Sequence, residues 1–352
     1  MGALLGVILH AIGGFAAGSF YIPFKIVKKW SWESAWMILG IAAWLISPII
    51  VAYFTVPNLW DVLVAADNET KMWTYLFGAL WGIGGLTFGL ALRYLGISLG
   101  MTIALGFTTA FGTLIPPIYE GKFMTLIQTR VGMVTFIGII LALVGILIAG
   151  KAGVMKEKDL VEDKKQETVE EFDLWKGMVV AVISGILSAS FAFGLAAGKP
   201  IANIALEKGT QSLFMNNAVL VWILWGGMTT NLIYTVFLNI KNKSYRDYSD
   251  TTSPLITNYF WAALGGITWY LQFFFYGMGT TYLGEKYEFA SWSIHMGFII
   301  LFSNLWGLYF KEWKGVHRKT IFTLLTGLTV IILAILIIGL ANTFIGETIV
   351  QT

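Results

Sequence analysis

Long apolar runs alternate with short polar breaks along this chain, and the runs are too long for the core of a soluble domain. A stretch of about 20 mostly apolar residues crosses a bilayer as a helix, because its backbone must satisfy its own hydrogen bonds there. Ten such stretches predict ten transmembrane helices, near 3–24, 35–56, 73–92, 97–118, 131–150, 177–198, 213–238, 258–280, 289–310 and 321–342. The first reads as a span and not as a cleaved leader, since no basic segment precedes it and Lys25, Lys28 and Lys29 follow it. The expected fold class is an all-α integral membrane protein. A polar break at 151–176 separates a first group of five spans, 1–150, from a second, 177–352.

Five is odd, so the two groups enter the membrane in opposite senses, as two inverted five-helix repeats of the kind many transporters use. The sequence carries a faint trace of duplication. Gly14, Ser19 and Phe20 align with Gly185, Ser190 and Phe191 at an offset of 171. Ala-Leu-x-Gly-Ile stands at 79–83 and again at 263–267, and Tyr-Leu-Gly follows at 94–96 and 282–284. Glycine clusters around Gly14, Gly82, Gly85 and Gly226 suit close helix approach in lipid, and Pro23, Pro48, Pro116 and Pro117 can kink spans, although most lie near span ends where Pro costs little.

Charge changes the picture in two ways. Only 12% of the 352 residues are charged, about half the share of an average soluble domain, and the net charge of +3 is spread over separate loops. No basic run points to nucleic acid as a partner. With no Cys the chain has no disulfide framework and no thiol chemistry, and no cofactor is expected. The loops after the odd-numbered spans hold 17 of the 23 Lys and Arg residues. Positive loops favour the cytoplasm, so both termini are expected outside and the 151–176 linker, with 14 of the 43 charged residues, inside.

Ionisable groups within spans are expensive and are functional candidates for that reason. His10 lies midway through the first span, and Glu288 opens the ninth with His295 two turns deeper on nearly the same face. A carboxylate and an imidazole so placed can take turns holding one proton, although a neutral histidine can equally bond a neighbouring carbonyl. Glu33 and Glu120 sit near span ends, where solvation accounts for them; Arg93, Lys25 and Lys199 read as interfacial anchors. On the substrate side, Trp269, Tyr270 and Gln272 fall mid-span in an aromatic run ending at Tyr276, with Trp81 and Trp292 in neighbouring spans. Ring faces suit the C–H surface of a sugar or an aromatic solute, and a buried amide needs partners. Asn216 and Asn217 either add amides to such a site or bond across helices.

Several blocks resemble one family. Phe20-Tyr21-Ile22-Pro23-Phe24-Lys25, Lys28-Lys29-Trp30-Ser31-Trp32-Glu33, Phe77 through Gly84, Arg93-Tyr94-Leu95-Gly96, Trp269 through Tyr276, Ser291-Trp292 with His295-Met296, and Lys311-Glu312-Trp313 are similar to the L-rhamnose–proton symporter family of the drug/metabolite transporter superfamily. The resemblance implies residence in the bacterial cytoplasmic membrane, L-rhamnose or a related 6-deoxy sugar as substrate, and the proton as coupling ion. On that reading Trp81, Trp269, Tyr270, Gln272, Trp292 and Asn217 bind sugar, and Glu288, His295, His10 and Glu33 serve proton coupling. An exporter of drugs or aromatic metabolites of the same superfamily is the alternative. An intramembrane enzyme lacks its residues, since there is no His-Glu-x-x-His and no Gly-Asp dipeptide.

Overall fold

A computed structural model describes the backbone of residues 2–95, 97–119, 121, 123–159, 173–284 and 288–341. Among these residues every regular element is helical. In chain order they are α1 (Gly2–Ser19), α2 (Tyr21–Phe24), α3 (Trp32–Gly40), a π segment (Ile41–Ile46), α4 (Ser47–Thr55), α5 (Leu59–Ala65), α6 (Asn68–Leu95), α7 (Ile97–Tyr119), α8 (Phe123–Gln128) and α9 (Arg130–Asp159). The second half contributes α10 (Leu174–Ala197), α11 (Lys199–Glu207), α12 (Asn217–Asn242), α13 (Leu255–Leu283), α14 (Glu288–Tyr309) and α15 (Arg318–Leu340). The expected linker is partly a continuation of α9, and positions 160–172 lie outside the described residues, as do Glu120 and the C-terminal 342–352.

Ten spans are expected from the apolar runs; among the described residues seven stretches are both long and apolar enough to cross a membrane. The chain is therefore a multi-pass membrane protein. The expected fourth, eighth and ninth spans correspond to α7, α13 and α14, helices of 23, 29 and 22 residues. The described apolar stretch of α7 is only Ile103–Ile115. α13 and α14 trade aliphatic residues for Trp, Tyr, Gln, Asn and His, and these lower hydropathy without shortening the helix.

The chain forms two compact units, each built from pieces of both sequence halves. The first comprises residues 1–14, 84–189 and 279–352. Its core is aliphatic, with Ile139, Ile146, Ile294, Leu324, Ile331 and Ile335 all buried. The most extensive helix pair is α9 with α15, which approach at Gly145 and Gly327; a Cβ at Gly327 would lie 2.6 Å from the backbone of Ala149. Where these helices end, Asp159 accepts from the His317 amide (2.9 Å) and from the Thr320 hydroxyl. The Thr320 bond, helped by the His317 amide and ring, holds the Asp159 carboxyl below the usual carboxylate range.

The second unit comprises residues 15–83 and 190–278. Here α6 crosses α12 backbone to backbone, because Gly78 faces the Ile223 carbonyl and Gly226 faces that of Tyr75 with no space for a Cβ at either position. One polar knot ties the segment before α3 to the segment between α12 and α13. Asn258 reads both backbone groups of Lys28, accepting from its N–H (3.0 Å) and donating to its carbonyl (2.8 Å). Asp247 accepts from the Ser31 amide (2.7 Å) and the Ser34 hydroxyl (2.9 Å), and Lys29, at φ 61°, donates to the Thr252 carbonyl (2.9 Å).

Candidate functional site

In the first unit, α1 and α14 bring together two histidines from near opposite ends of the chain. The imidazoles of His10 and His295 meet edge to face, with centroids 5.7 Å apart and planes at 65°. Both are buried, at 0% and 2% exposure. Small residues make the approach possible: a Cβ at Gly279 of α13 would lie 2.8 Å from the Nε2 atom of His10 and 3.0 Å from the Gly6 carbonyl. Beside them on α14, Trp292 donates its indole N–H to the Thr108 carbonyl (2.9 Å) and Ser293 shares a hydroxyl contact of 2.7 Å with Thr113. Glu288 opens α14 two turns before His295, and its side chain lies outside the described residues. Two imidazoles at this distance, with a carboxylate in the same helix, can hold and hand over a proton.

In the second unit, α13 presents Trp269 and Phe273 one turn apart on the same face. Trp269 stacks on Phe20 at 4.4 Å and meets Trp36 and Trp44 edge to face at 5.2 and 5.1 Å. Trp44 in turn contacts Trp81 at 5.9 Å, and Trp81 contacts Phe191 and Phe273 at 5.5 and 5.3 Å. Seven rings, from the junction of α1 and α2, α3, the π segment, α6, α10 and α13, thus form one continuous cluster. Gln272 lies beside this face of α13, 6% exposed, and among the described residues no protein group bonds its amide. Tyr270 is buried on the flank, with no partner for its hydroxyl among the described residues.

The sequence names Trp81 and Trp269, and the structure joins them through Trp44, which the sequence reading passes over together with Trp36; Phe20 and Phe191 enter it only as repeat positions or in a family block, and Phe273 only as part of the aromatic run. The missed signal is the spacing of Trp36 and Trp44. Eight residues in a regular helix leave two side chains about 80° apart. The i→i+5 turn at 41–46 rotates less per residue and swings Trp44 back toward Trp36, giving a ring contact of 6.2 Å. Pro48 is the local cause, since it has no N–H for the Trp44 carbonyl, and the Ser47 hydroxyl bonds the Ala42 carbonyl at 2.7 Å.

Three other expected residues have protein partners of their own. Asn217, at the start of α12, donates to the Thr55 hydroxyl (2.8 Å), so its amide bonds across helices. The indole N–H of Trp292 is engaged in the first unit, as described. Glu33 belongs to the second unit, where it accepts from Asn242 (2.9 Å) and the Ser244 hydroxyl (2.7 Å) in the knot above.

Residues 2–343 match the family model described as L-rhamnose-proton symport protein (RhaT). The chain belongs to that family. An L-rhamnose-proton symporter of Yersinia pestis (strain Pestoides F) is 42% identical over 340 residues, covering 96% of this chain and 97% of its own length. One of Citrobacter koseri is 41% identical over 339 residues, with the same coverage of both chains. Membership over nearly the whole chain makes this member of the RhaT family a transporter, not an enzyme.

Proposed function

We infer that this chain imports L-rhamnose together with protons across the bacterial cytoplasmic membrane by alternating access. The observation that carries the reading is family membership over residues 2–343, with symporters at 42% identity along 96% of the chain. The two clusters supply matching chemistry. A 6-deoxy sugar presents C–H faces and a methyl group to the indoles around Trp269 and Trp81, with Gln272 and Tyr270 as polar partners. Asn217 supports this site through its bond to Thr55, whereas Trp292 braces α14 within the first unit through its bond to Thr108. Glu288 carries the coupling proton on this reading, with His295 and His10 as its relay and Glu33 as a further candidate. The energy suffices: one charge falling through 100 mV yields about 2.3 kcal/mol, enough to concentrate sugar about fortyfold.

Ten crossings in two inverted repeats, 1–150 and 177–352, complete the proposal. Contacts between connecting segments support that number through parity. Lys28 bonds Asn258, Asp159 bonds His317, the Asp173 amide donates to the Tyr94 carbonyl at 3.2 Å, and the Lys208 ammonium lies 3.8 Å from Asp61. Segments in contact lie on the same side, so an even number of crossings must separate them, and ten spanning helices satisfy every one of these pairs. If only the seven most apolar stretches crossed, five crossings would separate Lys28 from Asn258 and three would separate Asp61 from Lys208. The boundaries of the compact units add to this, falling inside α1 and α6 of the first repeat and α10 and α13 of the second, the first and third expected spans of each.

Uptake of radiolabelled L-rhamnose into cells expressing the chain tests the function. Accumulation that a protonophore abolishes is expected; no uptake above control, or accumulation indifferent to the protonophore, would overturn it.

A further inference from the structure

Trp44 links the two ends of the ring cluster, touching Trp269 on one side and Trp81 on the other. It is 1% exposed, and its indole Nε1 is sealed from solvent with no hydrogen-bond partner among the described residues. Its neighbour Trp36 differs: that indole donates to the Asn231 side-chain Oδ1 at 3.2 Å, and the Asn231 amide is itself fixed by donating to the Gly227 carbonyl at 2.9 Å. A desolvated donor left unmade is a penalty that folded proteins rarely tolerate in their interiors. Here the local backbone enforces it. Gly40 leaves room beneath the ring, where a Cβ would lie 3.0 Å from Trp44, and the wide turn held by Ser47 and Pro48 rotates the indole into the cluster. Single π turns of this kind recur at functional sites.

A cage of rings alone does not tell a sugar from an apolar solute of the same outline. A fixed, dehydrated donor does, because a ligand without an oxygen at that point leaves the donor unmet. We propose that the Trp44 indole N–H donates a hydrogen bond to an oxygen of the bound sugar, which makes Trp44 a specificity-determining residue of the transport site. This assignment rests on the reading of the chain as an L-rhamnose importer. Binding then relieves a cost that the empty protein bears, so the donor favours the loaded state over the empty one.

The test compares L-rhamnose binding by calorimetry in detergent for three proteins: the unaltered chain, Trp44→Phe, and a chain with 3-benzothienylalanine at position 44. The last residue has the shape of tryptophan with sulfur in place of N–H, so it decides the matter if Trp44→Phe fails to fold. Both altered proteins are expected to bind about five- to tenfold more weakly. Across a series of monodeoxy rhamnose analogues, one analogue should lose affinity for the unaltered chain and lose none for the altered ones. Affinity within twofold of the unaltered chain for the benzothienyl protein overturns the proposal while leaving rhamnose import standing. So does a loss that is the same for every analogue, since that pattern reports packing. No binding by the unaltered chain would remove the import reading and the proposal together.

Discussion

Two histidines separated by nearly the whole chain meet in the first unit because neighbouring positions on α1 and α13 carry no side chain. Gly279 is the residue on which that meeting depends, and a methyl group there would press on the His10 ring at 2.8 Å. Gly279→Val should therefore displace His10 and cut proton-driven uptake at least tenfold, while leaving the protein in the membrane; uptake unchanged in transport assays would separate the histidine pair from coupling. Glu288→Gln addresses the proton directly. A site that mimics the protonated state should still exchange labelled for unlabelled rhamnose across a vesicle membrane and lose uphill uptake. If the mutant still accumulates sugar and a protonophore still abolishes that, the proton rides on another residue, His10 or Glu33 first. Gln272→Leu should weaken rhamnose binding by about 1–3 kcal/mol through a lost buried hydrogen bond, and unchanged affinity in detergent removes Gln272 from the site.

Among the elements, what could be read in advance follows from which residues lipid tolerates. Trp269, Tyr270 and Gln272 stand out because mid-span rings and an amide do not fit an interfacial belt, and the histidines stand out because an ionisable group in hydrocarbon is expensive. The π segment was hidden, since Ile41–Ile46 is apolar at buried positions such as Ala43 and Trp44 and at its exposed ones, Leu45 and Ile46, alike, and a run apolar on every side shows no periodicity that a change of pitch would disturb. The inter-segment knot was hidden too, because Lys28 and Asn258 are distant in sequence and the bonds between them use the Lys28 backbone. Asn258→Ala would leave both Lys28 backbone groups without that part-buried partner and should destabilise the second unit by about 1 kcal/mol, read as a lower thermal midpoint in detergent. Gly78→Ala should cost a similar amount by forcing α6 off α12, where a Cβ would overlap the Ile223 carbonyl. Midpoints within a degree of the unaltered protein would show that these contacts are dispensable.

Taken as a whole molecule, the chain combines a ring cluster suited to a deoxy sugar in one unit with a buried pair of titratable rings in the other. The chain has no Cys, so single cysteines report topology cleanly. A cysteine replacing Lys29 should be protected from an impermeant reagent in intact cells and one replacing Lys208 should react, in line with a cytoplasmic first loop and ten crossings; equal labelling of both contradicts the parity argument. Coupling itself is tested most directly by watching the proton. In a lightly buffered suspension of proteoliposomes holding the purified chain, adding L-rhamnose outside should make the outer medium more alkaline at a rate that follows sugar entry. Rhamnose entry without any change in external pH would contradict proton symport, whatever the sugar affinity.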